Sequence, residues 1–348
     1  MSIAQRTYPP QPNMAFHPGR NRILPTLVSS VPFPVSLPTL GIPLVIPYYH
    51  MVCDEQVTHV KHLYRYRNVR QFTNDLDFFL SHYKPVTLED LFQHLNGNRS
   101  LPKRSLLLTF DDGFREMYDV VAPILKAKGV PAIFFLTTGF IDNVDMAHHC
   151  KFSLLVEHLA QISNPDIELH VRQILAEGRT VRGSIQSQMV STRYAQRHLA
   201  TEIARVCEYD FDQYLAKHQP YLNSNQIHSL LKQGFSIGAH SVDHPLYAEL
   251  PLEEQIRQTV ESIRFLIERF DLDHRAFAFP HSDAGVRAEF FKEMRDTWQL
   301  QVSFGTAGMR RHFFPRNLER FSMENSSLPA AQIIRMNYLR GLLSRMFA

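Results

Sequence analysis

Two adjacent carboxylates, Asp111 and Asp112, stand at the end of the apolar run Leu106-Leu107-Leu108, inside the tetrad Thr109-Phe110-Asp111-Asp112 that Gly113 closes. Paired carboxylates at the end of a buried strand repel each other and lose water, a cost that a cation would remove. His240 and His244, in His240-Ser241-Val242-Asp243-His244, are suitable partners for that cation. Two imidazoles and one carboxylate can hold a divalent metal, which leaves the second carboxylate free to move a proton. Each motif alone has a plain explanation. Asp-Asp-Gly makes turns and helix caps, and a His-x-x-x-His pair is unsurprising in a chain with 18 histidines. Their combination points to metal-assisted chemistry. The spacing puts both imidazoles on one face of a single helical turn, kept short because Pro245 disfavours helix at His244. On extended backbone Asp111 and Asp112 would point in opposed directions, one toward the metal and one toward a water.

The elements that must position these groups alternate between strand and helix patterns. Leu44-Val45-Ile46 reads as a strand that delivers Tyr48-Tyr49-His50 to a loop. Helical spacing follows over 69–81, and again after Thr87, an N-cap with Asp90 three residues on. Ser105–Phe110 is a buried strand, 114–128 a helix with an internal proline, and Val130–Leu136 the next strand, which makes a β-α-β unit and an α/β fold. Strand patterns resume near 235–239, 276–279 and 301–304, with helices between them. The expected organisation is a proline-rich arm over 1–42, a first barrel part over 43–140, a helical insertion over 141–233, a second barrel part over 234–328 and a basic amphipathic helix over 329–348.

Composition narrows the function classes. Apolar residues make up 44% and charged residues 20%, as in a globular protein, and a net charge of +3 without a basic block argues against a nucleic-acid partner. The three cysteines, Cys53, Cys150 and Cys207, form no CxxC pair, which argues against a disulfide framework or a thiolate zinc site. Residues 23–47 carry no charge but contain six prolines, so they read as an apolar arm rather than a spanning helix. The start of the chain lacks a signal-peptide pattern, and the expected location is cytoplasmic, with peripheral contact at a membrane surface as a lesser reading.

The motifs resemble those of the polysaccharide deacetylases, the carbohydrate esterase group with a NodB-type domain. Thr109–Gly113 resembles its first motif and His240–His244 its H-[ST]-x-x-H motif; Ala278-Phe279-Pro280 is similar to its third motif. Tyr49-His50-Met51-Val52 looks like the YHxV element of the poly-N-acetylglucosamine deacetylase branch. The resemblance covers roughly 43–140 and 233–325. It implies an irregular (β/α) barrel, usually of seven strands, and metal-dependent removal of acetyl groups from sugars. It assigns Asp112, His240 and His244 as ligands of one divalent ion, Zn²⁺ first and Co²⁺, Ni²⁺ or Fe²⁺ as alternatives, and Asp111 as the base. Where many members have a histidine in a late Leu-x-His motif, this chain has Leu318-Glu319-Arg320, so His50 takes the acid role, with His281 and His312 as runners-up. Tyr49, Phe279, Pro280 and His281 are expected to line the substrate cleft. Asp243 is expected to orient a ligand imidazole, and Arg320 to pair with a carboxylate near the site. The reading is hydrolytic N-deacetylation of an amino sugar in a polysaccharide or glycan precursor. Its rivals are a same-fold hydrolase of another amide or O-acetyl ester, a non-catalytic carbohydrate-binding protein, and a scaffold built on the insertion.

Overall fold

The computed structural model describes residues 44–346 apart from 163, 177–182 and 325, so the expected arm over 1–42 lies outside the described residues. Eleven short strands carry the fold: β1 Leu44–Val45, β2 Pro47–Tyr49, β3 Lys84–Pro85, β4 Ser105–Leu106, β5 Leu108–Phe110, β6 Ala132–Leu136, β7 Ser236–Ala239, β8 Ala276–Ala278, β9 Val302–Gly305, β10 Asn317–Glu319 and β11 Phe321–Ser322. All their pairings are parallel. The main sheet runs β10-β9-β8-β7-β6-β5-β2-β11, and β1, β4 and β3 form a smaller one. Only Arg320 separates β10 from β11, so one segment pairs with β9 at its start and with β2 at its end. The sheet thereby closes into a barrel of seven chain segments, each presenting its C-terminal end at the same mouth.

The two-residue strand period divides the barrel's side chains. Ile46, Leu107, Ile133, Phe135, Ala278 and Phe304 pack together, with Leu88 and Leu91 joining them from the helix Leu88–Leu95. Their neighbours along the strands, among them Val45, Tyr49, Phe110, Phe134, Ile237 and Phe277, face outward under the helices. Those helices include Val69–His82, capped reciprocally by Asn68 and Gln71, and Leu252–Phe270. Thr87 caps Leu88–Leu95 as its spacing predicts: its hydroxyl accepts from the Asp90 amide at 3.0 Å. Tyr48 and Tyr49 are not in a loop. They extend the first strand, opposite Thr109 and Phe110. The helix predicted over 114–128 is shorter: a wide π-type turn, Met117–Val121, leads into Ala122–Ala127. Pro123 explains the shift, since a residue without an N–H is accommodated in the first helical turn.

Between β6 and β7 the chain is helical. His148–Ile162, Pro165–Leu175, Ile185–Val190 and Leu199–Val206 bury Phe152, Leu155, Val171, Met189 and Ile203 against one another. Ser224–Lys232 differs, because its Ile227 and Leu230 join the main core; it is the crossover helix that leads into β7. The last helix, Ala330–Met346, buries Ile333, Ile334 and Tyr338 in that core as well. Among the described residues, no helix is long and apolar enough to cross a membrane.

Candidate active site

The groups singled out by their chemistry meet at the C-terminal mouth of the barrel, where loops leave the parallel strands. His50 follows β2, Asp111 and Asp112 follow β5, His240 follows β7 and His281 follows β8. Arg320 lies between β10 and β11, and Glu324 follows β11.

Asp112, His240 and His244 each turn one donor atom toward a common point, and all three are buried. The Asp112 Oδ1 atom is 3.0 Å from His244 Nε2 and 3.5 Å from His240 Nε2. It is buried, and neither imidazole is aligned to give it a hydrogen bond. Three donor atoms this close, with no proton aligned between them, fit a divalent cation. The other nitrogen of His240 supports that fit: Nδ1 lies 2.8 Å from the Ala278 carbonyl, a bond that turns Nε2 toward the site as a lone-pair donor. Burial pushes the Asp112 carboxyl up, but the facing His244 and His240 imidazoles outweigh it and hold it well below the usual carboxylate range.

The backbone around these candidate ligands is strained. Asp112 has φ 73°, Ser241 68°, His244 63° and His281 57°. Left-handed conformations at non-glycine residues cost about 1–3 kcal/mol each and persist where surrounding structure imposes them. The predicted helical turn at 240–244 is therefore absent, and Asp112 is not extended. A looped bridge replaces the turn, with the His244 amide donating to Ser241 Oγ at 3.0 Å. Gln258, fully buried on Leu252–Phe270, accepts from the Val242 amide at 3.0 Å. On the other side Gly139 N–H donates to the Val242 carbonyl at 2.7 Å. A Cβ at Gly139 would stand 2.5 Å from that oxygen, so only glycine permits the approach.

Asp111 goes to a different partner. Arg320 grips it with two parallel bonds, Nη1 to Oδ1 at 2.6 Å and Nη2 to Oδ2 at 2.8 Å. The guanidinium is fully buried, lies over the Tyr48 and Phe135 rings and also donates to the Gly305 carbonyl at 3.2 Å. Bidentate pairing of this kind fixes a carboxylate in direction as well as in charge.

His50 is half-buried, and its Nδ1 lies 2.6 Å from Glu324 Oε2. The same carboxylate accepts from the backbone amides of His50 at 2.9 Å and Met51 at 3.0 Å. Burial works against a charge on His50, but the Glu324 carboxylate overcomes it and raises the imidazole to about 9. Tyr64 lies against the imidazole, with ring centroids 4.9 Å apart.

Other expected positions fall elsewhere. Tyr49 and Phe279 are fully buried on the outward face of the strands, Tyr49 stacked on Phe110 and Phe279 among Phe277, Phe290 and Phe291. Neither can line a cleft, because the strand period sends both under the helices. Pro280 is buried too, whereas His281 is exposed with its ring 4.5 Å from that of His244. Asp243 touches no ligand imidazole; it accepts from Tyr194 Oη at 2.5 Å and Gln258 Nε2 at 2.6 Å, tying the bridge to the insertion. His312 faces Asp283 at 3.7 Å instead of the Asp112 group. Glu324, Gln258, Tyr194 and His149 are the site residues that the motifs did not mark. Glu324 stands two residues past the end of β11, much as Asp111 stands just past β5, but no strand pattern in the sequence marks that position.

The chain was compared with known proteins. Over 61 residues it is 35% identical to the poly-beta-1,6-N-acetyl-D-glucosamine N-deacetylase of Escherichia coli K12, a stretch that covers 18% of this chain and only 9% of that protein. Among solved structures, the Streptococcus pyogenes deacetylase PplD in complex with acetate matches 86% of this chain and 97% of its own, at TM-score 0.52 and 15% identity. IcaB from Ammonifex degensii matches 84% of this chain and 97% of its own, at TM-score 0.51 and 18% identity. Both likenesses concern the fold. The family model for polysaccharide deacetylase matches residues 98–184 and 185–297, more than half of the chain and both carboxylate and histidine motifs. On that match, the chain belongs to the polysaccharide deacetylase family.

Proposed function

We propose that this protein is a metal-dependent N-deacetylase, hydrolysing the acetamide of an N-acetylated amino sugar within a polysaccharide or glycan precursor. The observation that carries the reading is the division of two neighbouring carboxylates between two partners: Asp112 faces the histidine pair, and Asp111 faces a buried arginine. The family supports an acetylated carbohydrate substrate. The Escherichia coli relative is an N-deacetylase of a glucosamine polymer, which supports nitrogen as the acetyl-bearing atom.

Asp112, His240 and His244 would hold the ion, for which Zn²⁺ suits the two-imidazole, one-carboxylate donor set. When bound, the ion supplies Lewis-acid polarisation of the acetyl carbonyl and lowers the pKa of a water. Asp111, directed by the two Arg320 bonds, takes the proton of the attacking water. His50 carries its other proton on Nε2, since Nδ1 is engaged by Glu324, and gives it to the departing nitrogen. Water adds to the carbonyl carbon, the carbon–nitrogen bond breaks, and acetate and the sugar amine leave.

Acetate release from N-acetylglucosamine oligomers, measured beside bound metal, tests the division of labour. Asp111→Asn is expected to lose turnover by at least about a hundredfold while keeping its metal. Asp112→Asn is expected to lose both. Near-wild-type acetate release from Asp111→Asn overturns the mechanism, and release only from O-acetylated oligomers overturns the assignment to nitrogen.

A further inference from the structure

His244 belongs to a second group of donors. Ring nitrogens of His149, His244 and His281 lie within 4.8 Å of one another. Ring centroids are 5.0 Å apart for His149 and His244, 4.5 Å for His244 and His281, and 5.6 Å for His149 and His281. His149 is carried by the insertion helix His148–Ile162, so this group joins the insertion to the barrel mouth. Two of its nitrogens are buried without a hydrogen-bond partner, Nδ1 of His149 and Nδ1 of His244. Buried unpaired polar atoms cost on the order of 1–3 kcal/mol each and are uncommon. A metal-binding histidine ordinarily gives its second nitrogen to a carbonyl or carboxylate, as His240 does with Ala278. His244 makes no such bond, and what surrounds it beyond Asp112 and His240 is two more imidazoles.

We propose that His149, His244 and His281 form a second divalent-cation position beside the first, sharing His244, which with both positions filled bridges them as an imidazolate, Nε2 on the Asp112 side and Nδ1 on the other, its ring proton released to water. Its chemistry is distinct. Three imidazoles and no carboxylate favour Zn²⁺, Cu²⁺ or Ni²⁺ over Mg²⁺ or Mn²⁺. Lacking a carboxylate ligand, it binds more weakly than the Asp112 group. His281 is exposed, so an ion enters from solvent at the mouth.

The test is equilibrium dialysis of the full chain against Zn²⁺, with Co²⁺ visible spectra as an independent readout. Two equivalents are expected for the wild type, the second at least about tenfold weaker than the first. His149→Gln and His281→Gln are each expected to bind one equivalent, with the first affinity and the melting temperature retained. Asp112→Ala is expected to keep the weaker equivalent and lose the tighter one. A single equivalent in the wild type overturns the proposal, as does a second equivalent that survives in both His149→Gln and His281→Gln. Two equivalents in the wild type of which Asp112→Ala still binds the tighter one count against the first position instead, so the two readings fail separately.

Discussion

Replacing Glu324 by glutamine removes the charge that keeps a proton on His50 while leaving a side chain of the same shape. In the native protein burial lowers the imidazole, the Glu324 carboxylate raises it, and the result is about 9. Without the carboxylate the value drops to the ordinary 6.5 or below, since burial remains. At about pH 7.5 the imidazolium then falls from roughly 30:1 in excess to about 1:10 in deficit. Acetate release that draws its proton from His50 should fall by about tenfold at that pH and recover below about pH 5.5, where both proteins are protonated. A cation on Asp112 cancels the smaller contribution of that carboxylate and leaves Glu324 in control. Stability changes with the same sign. Folding raises the imidazole above its unfolded value, so the stabilisation is complete below 6.5 and is lost as pH rises through about 9. Its size is on the order of 3 kcal/mol. The assays are acetate release against pH for both proteins, and imidazole NMR titration of His50 in the metal-free chain. Parallel rate profiles, or a His50 titration unmoved by the substitution, refute the reasoning.

Three further perturbations probe the supporting structure. Arg320→Met leaves the Asp111 carboxylate buried without its counter-charge and should cost about 3–5 kcal/mol in urea denaturation; a loss below about 1 kcal/mol contradicts the pairing. Gly139→Ala forces a methyl group against the Val242 carbonyl, 2.5 Å away, and should destabilise the protein by about 1–3 kcal/mol and weaken metal binding, so unchanged melting and affinity contradict it. Tyr194→Phe removes the hydroxyl that holds Asp243 and should weaken metal binding by up to about tenfold in metal titrations, whereas unaltered affinity shows that the insertion does not brace the ligands.

Four of the groups that were legible in the sequence share one property: each ends an apolar run. Asp111, Asp112, His50 and His240 sit there because parallel strands buried on both sides expose chemistry only at their ends. Which aspartate faces the metal was not legible from spacing and came from the family likeness. Tyr49 and Phe279 were placed near the cleft by sequence proximity, but the strand period turns them outward, and only the register decides that. Glu324 reaches His50 across 274 residues, a contact made by barrel closure that no local pattern encodes. His149 stands beside His148 with no ligand-like spacing to any further donor, and it meets His244 and His281 only through the packing of the insertion. The ligand bridge, read as helical from a four-residue spacing, is bent by Ser241 and His244 into left-handed backbone that spacing does not report.

The segment from Asn317 to Ser322 closes the ring, and it also carries or adjoins the partners of Asp111 and His50, the proposed base and acid. Arg320 and Glu324 belong to the last strand and its exit, whereas Asp111 and His50 follow strands laid down early in the chain. All three metal-facing residues precede that segment. During synthesis, then, the cation-binding part is complete in sequence before the part that moves protons, and a polypeptide cut short ahead of Asn317 would carry every ligand and lack both orienting charges. In the proposed mechanism both orienting charges come from this final seam, Arg320 on Asp111 and Glu324 on His50, so acid and base are set only once the ring has shut.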